Sequence, residues 1–507
     1  MPIYLAQLGK EGYGLIGLAT SIMTYTLVAD LGLREALGRQ LAAAVARKDE
    51  DGYNNLASSA IVFYVGLSAV IGLALALAAP GLAGIFAVSP GCRSEAVFLI
   101  RWYATLASFL TLVGSVFGAA LTSENRFDRL NIITSVTYAA RALLLIVVLK
   151  TTHTGLRGWA FVTLGTELAR VAMLRLAARR VRPGLRLRTA LFRPGAIRSL
   201  LGLGVCSFGA QSARLLSAQS DPFVLSLYFG PTILVFYSPA VQLLNALKPF
   251  VYAVASQLSP VATNFHVSNN REKVAEVLTV GTRYLLLQGA GATAVVIGFS
   301  GAIMSVWLGN KLGSETALAA SVLVTLAVID LITCGAGTQY PVLLGMGRLK
   351  VFVVTAIPSG IVYIASSVLL VGHTTLGIYG VLVPNLVLSL LTRLVISTHA
   401  AKLCGLRPSD YLVVSYIRPA VVFVLLLGFC LMLSRLFSPT SYPALGFCAL
   451  AALVVWVGLC WFVGFSSSDR SRMSGVLCRG WSVLKGGRPG EGSPPATATA
   501  KCPAGKC

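Results

Sequence analysis

The stretch SDPFVLSLYFGPTILVFYSPAVQLL, Ser220 to Leu244, sets one acid at the head of a long run that carries no other charge. A run of that kind belongs in a hydrocarbon core, which about 20 apolar residues span as a helix. Its middle, FGPTILV (229–235), has a counterpart in LGKEGYG (8–14), 221 residues earlier. The interval holds elsewhere. RKDEDGYNNLASSAIVFYV (47–65) aligns with NNREKVAEVLTVGTRYLLL (269–287), and ENRFDRLNIITSVTYAARALLLIVVL (124–149) with GMGRLKVFVVTAIPSGIVYIASSVLL (345–370). GLRGWAFVTLGTELAR (155–170) matches GIYGVLVPNLVLSLLT (377–392). Matches at 221–222 residues in one unbroken order read as an internal duplication, because helices that share only composition would drift in offset.

Composition places the duplicated unit. The chain has 507 residues, 56% of them hydrophobic and 12% charged, with a mean hydropathy of +0.79. Soluble domains carry about 25% charged residues, so this chain cannot clothe a water-facing surface. Apolar runs of spanning length lie near 13–33, 57–79, 97–121, 130–149, 158–174, 199–228, 232–258, 284–307, 317–345, 352–371, 376–400, 414–434 and 444–465. The expected fold is an all-α polytopic membrane protein. It has two six-helix lobes in parallel pseudo-repeat, the first helix apparently missing, and two C-terminal helices. The expected domains are an N-lobe (1–174), a basic cytoplasmic linker (175–198), a C-lobe (199–400), two further transmembrane helices (414–466) and a disordered cytoplasmic tail (467–507). An even number of helices per copy leaves both copies in one orientation, related by an axis along the membrane normal.

The span 199–228 opens the second copy. Shifted back by 221, it ends at Met1–Gln7, which answer to Pro222–Tyr228. The expectation is a first helix lost upstream of Met1, and parity agrees. Thirteen spans with a cytoplasmic tail put Met1 outside the cell, whereas a fourteenth brings both termini inside.

The formal charge of +23 raises nucleic acid as a partner, and its placement removes it. Loops 34–55, 122–129, 175–198, 259–283, 346–351, 401–418 and 467–507 hold 29 Lys and Arg. The opposite set holds six: Lys10, Arg93, Lys150, Arg157, Lys311 and Arg435. That asymmetry is the positive-inside pattern and assigns the richer set to the cytoplasm. The Arg-rich 175–198 stretch has only Phe192 to interleave as an aromatic. REALGRQLAAAVARKDEDGYNN (34–55) reads as an amphipathic interfacial helix. The ten cysteines form no disulfide framework.

Enzyme signatures are missing. GYGLIG (12–17) fits a dinucleotide fingerprint, but it opens a transmembrane span, where glycines serve hinges and close helix packing. No P-loop, HExxH, CxxC pair or G-x-S-x-G occurs, so no cofactor, no metal and no catalytic residue is expected.

Charges inside spans carry more information, since an arginine at a helix centre costs about 2.5–3.5 kcal/mol on insertion scales and faces a cavity or a partner. Six cations stand outside the loops: Arg101, Arg141, Arg170, Arg214, Lys248 and Arg393. Four acids join them: Asp30, Glu167, Asp221 and Asp330. Glu167 and Arg170 are three apart on one helical face, which suits a mutual salt bridge. Arg214 and Asp221 share a face of a helix that also carries Gln211, Ser212, Ser217, Gln219 and Ser220, too polar to meet lipid. Arginine forks onto two phosphate oxygens at once, so Arg141 and Arg214, one per lobe, are the expected grip on an anionic headgroup. Arg170, Gln211 and Gln219 complete the substrate set, and Asp30, Asp221 and Asp330 are the expected ion-coupling residues.

On LGKEGYGLIGLA (8–19), DLGLREALGRQLA (30–42), SDPFVLSLYFGPTILVFYSPAVQLL (220–244) and REKVAEVLTVGTRYLLL (271–287), the chain resembles a known family. It is similar to the polysaccharide and oligosaccharide-lipid flippases of the MATE-like multidrug/oligosaccharidyl-lipid/polysaccharide exporter superfamily. The resemblance implies a lipid-linked (polyprenyl pyrophosphate) oligosaccharide as substrate and alternating access as mechanism. It also implies the bacterial inner membrane, cell-surface polysaccharide biosynthesis, a cation gradient, and polymerase or glycosyltransferase partners. In that family the absent first helix lines the cavity. A cation or drug exporter of the same fold is the alternative; a membrane enzyme lacks any catalytic cluster, and a non-transporting scaffold requires the first helix to be truly gone.

Overall fold

The structure, a computed structural model, describes residues 2–471 apart from 27–29, 31–32, 87, 153, 253–254, 256–257, 269, 347, 349 and 468. At 2–3, 25–26, 35, 202–219, 259–260, 263–264, 267, 310–312, 314, 350 and 353 it describes backbone alone. The described residues are helical almost throughout and include no strand. The N-lobe runs through α1 (Pro2–Thr26), α2 (Leu33–Arg47), α3 (Glu50–Ile85), α4 (Arg93–Phe98), α5 (Thr105–Ser123), α6 (Phe127–Thr151) and α7 (Gly155–Val181). The C-lobe follows with α8 (Pro194–Phe229), α9 (Leu234–Tyr252), α10 (Leu258–Val267), α11 (Arg271–Gly298), α12 (Ser300–Leu312), α13 (Thr316–Cys334), α14 (Ala336–Gly345), α15 (Lys350–His373) and α16 (Tyr379–Leu403). Two more helices, α17 (Pro408–Phe437) and α18 (Tyr442–Leu459), close the chain as described.

Local chemistry explains where these elements start and stop, and it recurs at the sequence interval. The α3 N-terminus is capped by Asp49, which accepts from the Gly52 amide at 2.8 Å; α11 is capped by Asn270, which accepts from Lys273 at 3.1 Å. Gly9 interrupts α1 at φ 70°, ψ 179°, and Gly230 ends α8 at φ 74°, ψ 170°. Only glycine takes that conformation without strain, and the two stand 221 residues apart.

Nine of the thirteen expected spans fall on helices long and apolar enough to cross a membrane among the described residues. The other four fall on α1, α7, α8 and α9, which are helical as well. The outside of the bundle is inverted relative to a soluble protein. Leu73 and Leu77 on α3, Leu143 on α6, Val424 on α17 and Phe462 are all more than 60% exposed, as faces bathed in lipid tails should be.

The two ends of the bundle pack differently. At the end opposite the basic loops, one apolar core runs through both lobes, joining Tyr13, Leu15, Phe86, Leu99 and Trp159 to Leu234, Val235, Leu308, Val322 and Leu382. At the basic end the described residues form two separate cores. One holds Leu37, Tyr53, Tyr64, Phe117 and Leu174 of the N-lobe, the other Leu278, Leu343, Ala400 and Tyr411 of the C-lobe. Among the described residues one apolar core thus joins the lobes at one end, while at the other the two cores are separate and the start of α8 crosses between lobes, where Gln40 donates to Ser199 at 2.9 Å.

The link between lobes is short and fastened. Nothing breaks α7 before Pro183, so 175–181 remain helical, and Pro194 at the first position starts α8. Asn54 exchanges hydrogen bonds with the Gly184 carbonyl (3.1 Å) and the Arg186 amide (2.8 Å). Ser58 accepts from the Arg188 amide at 3.3 Å, and Ser59 from the Arg193 amide at 2.9 Å. The start of α8 sits in the N-lobe core through Leu200; its far end enters the joint core through Val224 and Leu225.

Helices α17 and α18 lean on α11. The Trp456 indole donates to the Leu287 carbonyl at 3.0 Å. The chain after α18 returns to the lobe, where Arg283 of α11 meets Asp469 at 2.6 Å with both side chains buried. Asp469 lies beyond the last spanning helix. Burial pushes its carboxyl up, but hydrogen bonds from Ser466 and the Arg283 charge outweigh that and hold it below the usual carboxylate range.

Candidate functional site

Three charged side chains meet where α6 faces α7. Arg141 donates from Nη2 to Glu167 Oε2 at 2.8 Å and from Nε to Thr166 Oγ1 at 2.9 Å. Arg170 takes the other carboxylate oxygen, with Nε at 3.0 Å and Nη2 closer still. The Arg141 guanidinium also lies 5.2 Å from the centre of the Tyr138 ring. One acid between two cations leaves the cluster net positive. Glu167 thus bridges both arginines rather than pairing with Arg170 alone. Arg141 keeps 23% of its side chain exposed and Arg170 15%, so each is still reachable.

The C-lobe centre has the opposite chemistry. Asp221 is buried at the end of α8 and accepts from Tyr237 of α9 at 2.5 Å. Its other oxygen accepts from Tyr363 of α15 and, at 3.4 Å, from Ser220, while Asn385 of α16 also lies in hydrogen-bonding reach. Sequence reasoning picked the acid and missed both tyrosines, because no spacing links positions 221, 237 and 363 before the helices are assembled.

The remaining sequence-expected residues are dispersed. Asp30 accepts from Tyr64 at 2.5 Å and from the Arg34 amide at 3.2 Å, at the threshold of α2. Asp330 of α13 faces Lys248 of α9 at 3.3 Å, beside Tyr252 and Cys334. Arg214, Gln211 and Gln219 fall in the part of α8 whose side chains lie outside the described residues. Arg141 and Arg170 are the pair from the substrate set that the structure brings together; in the coupling set, Asp221 and Asp330 both lie near Tyr237 of α9, while Asp30 sits in the other lobe.

Contacts between lobes gather at the sealed end. Lys10 pairs with Glu315, which stands before α13. Gln242 of α9 donates to the Tyr13 hydroxyl of α1 at 3.3 Å, and the Phe86 and Phe223 rings meet edge to face at 4.8 Å. Gly14 lies against Pro231, so that a Cβ there would run into the Pro231 carbonyl. Among the described residues no cluster of His, Cys, Asp and Glu could hold a metal ion.

Known proteins share this architecture. The chain is 23% identical over 393 residues to the uncharacterized membrane protein EpsK of Bacillus subtilis (strain 168), covering 75% of this chain and 74% of that one. It superposes on an inward-facing MATE-family multidrug resistance transporter of the MOP superfamily with a TM-score of 0.70, at 17% identity over 80% of this chain and 93% of that one. It superposes on the lipid II flippase MurJ, in an inward closed conformation, with a TM-score of 0.60, at 14% identity over 89% of this chain and 97% of that one. The profile of a family described as polysaccharide biosynthesis protein matches residues 7–314, more than half of the sequence. This multi-pass membrane protein, built on the fold of MOP-superfamily transporters, belongs to the polysaccharide biosynthesis protein family.

Proposed function

We propose that the chain is a flippase that moves a lipid-linked oligosaccharide of the polyprenyl pyrophosphate type across the bacterial inner membrane, for cell-surface polysaccharide biosynthesis. The observation that carries this reading is the contrast of its two ends, one joint core against two separate ones, beside a net-positive cluster that stays reachable. The asymmetry of basic residues supports placing the split end, and the C-terminus, in the cytoplasm. The headgroup enters from that side. Its phosphates compete with Glu167 for the forks of Arg141 and Arg170, with Arg214, Gln211 and Gln219 supplying further contacts from α8. The apolar tail stays in the bilayer. Rocking of the lobes then joins the basic end and parts the other, with 1–174 and 199–400 as the moving lobes.

Energy comes from a cation gradient, with Asp30, Asp221 and Asp330 as the coupling acids. Asp221 supports this role best, since it is a buried acid held by hydroxyl groups, with no cation on it among the described residues. The same acid favours a second reading, a cation or drug exporter, which the positive N-lobe cluster opposes.

The test compares a strain lacking the gene with the same strain complemented from its own locus, and reads the leaflet distribution in the first. Polyprenyl-linked glycans held on the cytoplasmic leaflet, with normal tolerance of cationic dyes, are the expected result. Normal glycan-lipid distribution with dye hypersensitivity would replace this reading with the exporter.

A further inference from the structure

The linker between the lobes has a feature that transport of a headgroup through the centre does not use. Four arginines, Arg186, Arg188, Arg193 and Arg198, are exposed, and none of them forms an ion pair among the described residues. Their backbone is not loose, because Asn54, Ser58 and Ser59 of α3 fasten 184–193 by hydrogen bonds. One to two helical turns further along α3, an open cleft of about 450 Å³ lies between that helix and the linker. Its walls are Phe63, Gly66, Leu67, Phe192, Pro194 and Ile197, which are apolar throughout. A Cβ placed on Gly66 would meet nothing within 4 Å, so the cleft is empty of protein there.

Chain adjacency ties charge to cleft. Arg193 stands between the wall residues Phe192 and Pro194, and Arg198 follows Ile197. An apolar cleft beside exposed arginines offers two kinds of contact, and one ligand makes both. Its tail removes the apolar walls from water, and its phosphate answers the guanidinium groups.

We propose that this cleft is a binding site for an anionic glycerophospholipid of the basic-side leaflet. One acyl chain lies against Phe63, Gly66 and Leu67, and the phosphate is held by Arg188, Arg193 and Arg198. Basic pockets beside membrane helices on this side of a bilayer bind anionic headgroups by the same combination of field and contact. The site lies on the hinge between lobes, outside the central cluster, and does not depend on which substrate is carried.

The test is lipid retention by the purified full chain. Protein is exchanged into mixed micelles holding equal phosphatidylglycerol and phosphatidylcholine, and the lipids kept after washing are counted by native mass spectrometry. Wild type should retain phosphatidylglycerol over phosphatidylcholine by about tenfold. The variant R188Q/R193Q/R198Q should lose that preference. The variant R34Q/R47Q/K48Q removes as much charge from α2 and its end and should keep it. Filling the cleft with G66W should lower retention of both lipids while the melting temperature holds. Equal retention of the two lipids by wild type would overturn the proposal. So would equal loss in the two charge variants, which would mean attraction to the basic surface as a whole. Undiminished retention by G66W would remove the cleft from the account.

Discussion

The two lobes solve the same problem, an acid buried among spanning helices, in opposite ways. In the N-lobe, Glu167 lies between Arg141 and Arg170 and its charge is more than cancelled. In the C-lobe, Asp221 is surrounded by hydroxyl groups from Tyr237, Tyr363 and Ser220. Gly9 and Gly230 share one backbone conformation 221 residues apart, while the polar chemistry around the two acids differs. A cationic centre suits a fixed anionic ligand. An acid held by neutral donors suits a group whose occupant changes during a cycle.

The sharpest way to break that contrast is the same acid-to-amide change in each lobe. Glu167→Gln leaves two arginines sharing a neutral acceptor, and stripping the counter-charge from buried cations costs about 3–5 kcal/mol. Thermal unfolding of the purified variant in detergent should show that loss. Arg141→Gln should cost less, because Glu167 keeps Arg170. Asp221→Asn should cost less, about 1.5–3 kcal/mol, since the amide oxygen still accepts from one tyrosine while the donors on the other oxygen lose their acceptor. Equal destabilisation by the two amide changes would end the distinction between the lobes.

A second test asks whether the C-lobe tolerates a lost charge where it does hold an ion pair. Arg283 and Asp469 are buried together, so Asp469→Asn should cost about 3–5 kcal/mol in the attachment of the segment after α18. Limited proteolysis in that segment should report it. The pH dependence follows from the depressed carboxyl of Asp469. A carboxylate held below its unfolded value adds stability above that value, and the contribution is lost as pH falls through the folded one. Wild-type protection should therefore fade on acidification below the usual carboxylate range, and the Asn variant should be insensitive there.

A third and smaller effect comes from the donors on Asp221. Tyr237→Phe removes one hydrogen bond to a carboxylate, worth about 1.5–3 kcal/mol, and Tyr363→Phe the same. Both together should exceed either alone, as read by chemical denaturation in detergent. A null result for both would mean that the hydroxyls merely fill space.

How much of this was legible in the sequence follows the same division. Periodicity and apolar length are properties of a chain segment, so the helices, the 221–222 interval and the basic asymmetry could all be read directly. The Glu167–Arg170 pair was visible because three residues on a helix are neighbours. Arg141 joining the pair from α6 was not, and neither was Tyr237 or Tyr363 on Asp221, because those meetings depend on how helices pack. The pair at Arg283 shows the limit most plainly. In sequence it counts among the basic loop residues, yet α11 begins at Arg271 and carries it into the bundle to meet an acid 186 positions on.

The smallest effect is expected where the lobes touch. Lys10 and Glu315 cross from α1 to the threshold of α13, but their side chains are 44% and 49% exposed, and exposed pairs are worth about 0.2–1 kcal/mol. Lys10→Gln should leave melting almost unchanged. Its consequence belongs to the balance between states, because the pair exists only while this end is sealed, and 0.2–1 kcal/mol shifts a two-state ratio by roughly 1.4- to 5-fold. Spin labels on 89 and 318, one on each lobe near the seal, should show the wider distance more populated in Lys10→Gln. Gly14→Leu should widen it further, since its side chain meets the Pro231 carbonyl directly. If Lys10→Gln moves stability but not the distance distribution, the pair is ordinary surface charge, and the seal rests on the shared apolar core alone.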